Sequence, residues 1–149
     1  MIEQALLAYF HYAAIFVTIT ALVAEFFLYR PPIPAKVASI LPKIDLVYGI
    51  GSVLAVGTGF ARALWFEKTW DFYRHSSLVW LKVALVALWG LLSIVPTIHF
   101  LRIARLTPSG GVLSIEPTLS SRVRKLIVAQ LAIVPWIPLV AVLMSRGLG

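Results

Sequence analysis

LAYFHYAAIFVTITALVAEFFLY, residues 7–29, decides the fold. A helix needs about 20 apolar residues to cross roughly 30 Å of hydrocarbon, and this run is long enough. Its polar members are few, and an imidazole or carboxylate buried in lipid costs kilocalories unless it has a partner or a use. His11, Thr18 and Glu25 are spaced by sevens, so they fall along one helical stripe with Ala14 and Ala21 beside it. That stripe is expected to face protein, and His11 becomes the first candidate for function.

The whole chain supports a membrane reading. With 149 residues there is room for one domain, 1–149, while 60% hydrophobic residues, 13% charged residues and a mean hydropathy of +0.94 exclude an ordinary soluble globule. Three further apolar runs give a total of four spans, at about 5–29, 45–66, 77–102 and 122–145. The expected fold class is all-α, an integral membrane bundle of four transmembrane helices. The absence of cysteine removes disulfides, thiolate metal sites and covalent haem attachment through a Cys-x-x-Cys-His motif. The N-terminal segment carries Glu3 instead of a basic start and reaches Arg30 without a small-residue cleavage site, so it reads as a retained span.

A net charge of +7 would suggest nucleic acid in a soluble protein, but the positions of the cations argue for topology and against a nucleic-acid partner. Arg30, Lys36 and Lys43 lie in the first connection, and Arg102, Arg105, Arg122, Arg124 and Lys125 in the third. The second holds only Lys68 and Arg74. The first and third connections are therefore expected on the cytoplasmic side, with both termini outside. In the first connection, RPPIPAKVASILPK (30–43), Pro31, Pro32, Pro34 and Pro42 predict a stiff non-helical link. The second, EKTWDFYRHSS (67–77), puts Trp70, Phe72 and Tyr73 at interfacial depth beside His75 and predicts a lid. The third, 102–125, reads as a long, partly mobile loop.

Within the spans, Gly51, Ala55 and Gly59 recur every four residues, and Arg62 continues their stripe. The ordinary use of such a face is close approach of two helices or of two copies of the chain, and a homodimer is one expectation. A flat cofactor is the other use. Lys82 lies about six residues inside the third span, at the depth of His11 by helical rise, and Arg62 approaches that level from the second. These three cations suit an anionic, flat, lipid-compatible guest: a haem with His11 as axial ligand, the Gly51/Ala55/Gly59 face as its bed, Arg62 on its propionates, and Lys82 as a second ligand or propionate partner. His99 is seventeen residues from Lys82, too far along the helix to bind the same iron. Glu25, Asp45, His99 and Gln130 form a second expected cluster near the inner surface, where pairing of Glu25 with His99 or an arginine would lower the burial cost. Its use is structural or a proton path. Pro96 is expected to disturb the third helix, with Ser93 and Thr97 taking up the freed bonds, and Pro135 and Pro138 to make the fourth irregular.

The pattern FHYAAIFVTITALVAEFFLYR (10–30), the small-residue second span and WLKVALVALWGLL (80–92) resemble a bacterial family of four-span membrane proteins of unassigned function. More distantly, Phe10–His11 early in the first helix and Lys82 shortly after the start of the third are similar to the HemJ-type protoporphyrinogen oxidases. That resemblance covers about the first hundred residues. It implies haem b, His11 as iron ligand, Lys82 as a site or catalytic residue, an oxidoreductase or electron-transfer function, and the bacterial plasma membrane. At one position the chain departs: Trp80 stands where the HemJ-type pattern has histidine. The alternative function is a non-enzymatic transporter or accessory subunit whose intramembrane polar residues serve a proton or substrate path.

Overall fold

The computed structural model of the protein describes residues 1–67, 76–106 and 111–146. The second connection, with Trp70, Phe72, Tyr73 and His75, lies outside them apart from its ends. Helix α1 spans Ile2–Leu28, α2 Ala35–Arg62, α3 Ser77–Leu106, α4 Pro117–Ile133 and α5 Trp136–Ser145. A π-helical turn, Ala63–Glu67, extends α2. Because α4 and α5 are separated by a single break, four stretches among the described residues are long and apolar enough to cross a membrane. The bundle closes as a ring. α1 packs most extensively on α2, α2 on α3, and α3 on both α4 and α5, while α1 also meets α4.

The four-helix expectation holds, and several boundaries move. α2 begins at Ala35, ten residues before the expected Asp45, and runs through Pro42. Pro42 gives up one backbone donor, yet Ala38, Leu41 and Asp45 are buried around it, and packing of that face outweighs a single missing bond. The other three prolines do break the chain, and Pro34 is the N-cap of α2. The third connection is shorter than its composition suggests. α3 continues to Leu106, because Arg102 and Arg105 are good helix formers once outside the apolar region, and α4 starts at Pro117, where a proline's missing N–H costs nothing. Residues 107–110 lie outside the described chain.

From Gly111 onward the third connection is tied down. Strand β1 (Ile33–Pro34) pairs antiparallel with β2 (Val112–Leu113), Ile33 opposite Leu113. Gly111, at φ 104°, occupies a left-handed conformation open to glycine, and its carbonyl accepts the Ala35 N–H at 3.0 Å, satisfying a donor at the first turn of α2. The first and third connections thus form one clasp at the basic end of the bundle.

The core gathers towards that end. Leu22, Tyr29, Ile33, Ala38, Leu41, Phe100, Ile103, Val123 and Ile127 are fully or almost fully enclosed. The N-terminal half of α3, by contrast, buries none of its apolar side chains, and Trp80, Leu81, Leu88 and Leu91 face outward together with Phe10, Phe16, Val53 and Phe60 of the first two helices. Outward apolar faces are what a lipid-embedded helix requires. The fourth span is irregular as expected: α4 ends at Ile133, Pro135 lies two residues on, and Leu139 N–H reaches the Pro135 carbonyl at 3.4 Å to restart the helix.

Candidate functional site: a buried carboxyl cluster

The buried stripe of α1 carries Ala14, Thr18, Ala21, Leu22 and Glu25 inward. Helical periodicity therefore delivers Glu25 to the centre of the bundle, where it is 1% exposed. From α2 the same logic brings Asp45, 6% exposed, and Tyr48, one turn further on. α3 contributes Thr97 and His99, and α4 contributes Gln130. All four polar residues expected in the second cluster are buried.

Their partners differ from those expected. His99 Nε2 is hydrogen-bonded to the Tyr29 hydroxyl at 2.8 Å, not to Glu25, because Tyr29 lies one turn beyond Glu25 and reaches α3 first. Tyr48 donates to Gln130 Oε1 at 2.8 Å, and Gln130 Nε2 donates to the Leu126 carbonyl at 3.4 Å. Asp45 Oδ1 accepts from Thr97 at 2.8 Å. Thr97 therefore spends its hydroxyl on α2 and not on the turn disturbed by Pro96, while Ser93 donates within α3 to the Gly90 carbonyl at 2.7 Å. The expected arginine partner is also engaged elsewhere: Arg124 Nη1 donates to the Tyr29 carbonyl at 3.3 Å, and its guanidinium lies over the Phe26 ring at 4.9 Å.

Glu25 is left in an unusual state. Its Oε1 is buried with no hydrogen-bond partner among the described residues, and the indole Nε1 of Trp89, whose ring meets Tyr48 edge-on at 5.5 Å, is the same. Asp45 is near enough for the two carboxylates to repel each other when both are ionised, and the Tyr48 phenol feels both. Two acids thus share a low-dielectric space with hydroxyl, amide and indole groups. Unpaired charge is expensive there.

The residues expected to hold a cofactor lie towards the other end. His11 is half-buried, and its Nδ1 is 3.0 Å from Thr58 Oγ1. Thr58 has one hydroxyl proton and donates it to the Leu54 carbonyl at 2.6 Å, so it accepts from His11 Nδ1–H. In the neutral ring the lone pair is then on Nε2. The small-residue face is not an open bed. A Cβ on Gly51 would stand 2.5 Å from Thr18 Oγ1, and one on Gly59 would stand 3.1 Å from His11 Cε1, so α1 itself fills the positions on either side of Ala55. The reason is the ordinary one for such spacing: without side chains, two helices approach closely. The Arg62 guanidinium lies over the Tyr12 ring at 5.5 Å, and Lys82 is half-buried near the start of α3. His11, against Gly59, and Arg62, over Tyr12, therefore lie at one level of the α1–α2 pair, while Lys82 is on α3, with which α1 has at most marginal contact.

Sequence reasoning passed over Tyr29, Tyr48 and Thr58. The first two carried a usable signal. Tyr29 is four residues after Glu25 and Tyr48 three after Asp45, so each extends the stripe of its carboxyl.

The family of predicted membrane proteins designated DUF2214 matches residues 3–149. The chain belongs to that family. No curated protein and no solved structure matches it. The match covers all of the described elements but the first residue of α1, so the carboxyl cluster and the His11–Thr58 pair both lie within the DUF2214 region. It brings no support for the HemJ-type resemblance.

Proposed function

We propose that this DUF2214 protein is a non-enzymatic membrane protein, a small transporter or an accessory subunit, in which Glu25 and Asp45 take up and release a proton. The observation that carries the reading is Glu25 Oε1, enclosed in the bundle without a hydrogen-bond partner among the described residues and close to a second carboxyl, Asp45, which accepts from Thr97. In an ion pair these acids would be structural. Among the described residues neither is in one, and the bundle around them holds the hydroxyls of Tyr48 and Tyr29 and the imidazole of His99, groups able to relay a proton. The basic clasp then lies on the cytoplasmic side of a bacterial inner membrane, as the bias of Lys and Arg favours, and the cluster lies in the inner half of the bilayer.

The test is proton movement into liposomes loaded with a pH-sensitive dye, driven by a potassium diffusion potential. Wild-type protein is expected to conduct above empty liposomes, and Glu25→Gln/Asp45→Asn to return to that baseline. Equal flux from wild type and the double variant would contradict the reading.

A second reading keeps haem b. The tautomer imposed by Thr58 supports it, since an Nδ1–H held by an oxygen presents Nε2 as the ligating nitrogen. Because α1 lies against Gly51 and Gly59, His11 would hold the group outside that face, with Arg62 and Lys82 as its propionate partners. Haem would supply electron transfer. A purified protein with a Soret band that is lost in His11→Ala supports this reading, and a colourless preparation from haem-replete cells removes it.

A further inference from the structure

α4 carries two different faces. Val123, Ile127 and Gln130 point into the core, and Arg124 is drawn inward onto Tyr29 and Phe26. The opposite stripe holds Thr118, Ser121, Arg122 and Lys125, all exposed. Their spacing of three and four residues places them on one side of the helix. A cavity of about 370 Å³ opens among these four and Leu126. A second, of about 320 Å³, is lined by Ser121, Arg124, Lys125 and Val128. Neither is lined by an acid.

We propose that this face is a headgroup site for an anionic phospholipid. The phosphate lies between Arg122 and Lys125 and accepts from the hydroxyls of Thr118 and Ser121, which together supply the charge and donors that a phosphodiester needs. An acyl chain then passes over Leu126 and Val128, where α4 enters the apolar part of its span. The apolar exits favour a lipid over a free phosphate, which has no use for them. Depth agrees with this choice, because Thr118, Ser121 and Arg122 precede the apolar run at Leu126 by about one to two turns and Lys125 adjoins it, the level of a headgroup above its own chains. The core does not use this face, so the site is separate from the carboxyl cluster.

The experiment titrates the full-length protein, in nanodiscs of phosphatidylcholine, with phosphatidylglycerol and counts bound lipids by native mass spectrometry. Saturable retention of phosphatidylglycerol over phosphatidylcholine is expected. Near a membrane surface each cation contributes about fivefold, so Arg122→Ala/Lys125→Ala should weaken retention roughly thirtyfold. Lys36→Ala/Lys43→Ala removes the same charge from exposed positions on α2 at the same end of the bundle and should weaken retention clearly less. Equal retention of the two lipids, an intact response in the α4 variant, or equal loss in the α2 variant would overturn the site. Displacement of phosphatidylglycerol by millimolar inorganic phosphate would also overturn it, by making free phosphate the occupant.

Discussion

Replacing Gly51 by alanine tests how closely α1 and α2 approach above the carboxyl pair. The added Cβ would lie 2.5 Å from Thr18 Oγ1 and 3.4 Å from the Ala14 carbonyl oxygen. Ordinary contact begins at 3.4 Å, so the two helices must part by about 0.9 Å at this level, or Thr18 must rotate. Parting them costs about 1–3 kcal/mol as overpacking. Rotation breaks the buried bond from Thr18 to the Ala14 carbonyl, 2.7 Å long, at a cost of about 1–3 kcal/mol. Alanine also gains helix propensity, and this is removed by comparison with Gly57→Ala, where a Cβ meets nothing within 4 Å. Gly51→Ala is therefore expected to be about 1–3 kcal/mol less stable than Gly57→Ala in reversible unfolding from lipid–detergent micelles into SDS, monitored by circular dichroism. Thr18→Ala in the Gly51→Ala background should recover about 1 kcal/mol or more of coupling. Equal stability of the two glycine variants, or no recovery, would refute the close approach.

Two other consequences can be checked in the same system. Arg124→Ala loses a bond to the Tyr29 carbonyl and a cation–π contact with Phe26, and should cost about 1–2 kcal/mol in the SDS unfolding assay, while Arg124→Lys keeps part of it. Thr58→Val removes the acceptor from His11 Nδ1–H, so nitrogen NMR of labelled histidine should report a mainly Nδ1-protonated neutral ring in the wild type and a mixture of tautomers in the variant.

The helices were legible because the apolar runs are long and lipid allows few alternatives to a helix. The buried stripe of α1 was legible from the sevenfold spacing of Thr18 and Glu25 alone. Boundaries at the basic end were not, because Pro42 and the arginines after His99 obey local rules that burial and exposure override. The partners inside the cluster were harder still. Depth in the bundle places Glu25 and His99 near one another, but whether His99 meets the acid or the Tyr29 phenol depends on how α1 and α3 are turned, and composition carries no record of that. The glycine face was legible as a place of close approach, and that α1 lies against Gly51 and Gly59 was not, because the same spacing serves helix packing and a cofactor alike and only the position of α1 decides.

The central claim is that Glu25 and Asp45 exchange a proton inside the bundle, and infrared difference spectroscopy of the protein in lipid reports it most directly. Spectra recorded across a pH step should contain a protonated-carboxyl C=O band that disappears in Glu25→Gln and shifts in Asp45→Asn, since the remaining acid loses its charged neighbour. A difference spectrum identical in wild type and both variants would contradict the account.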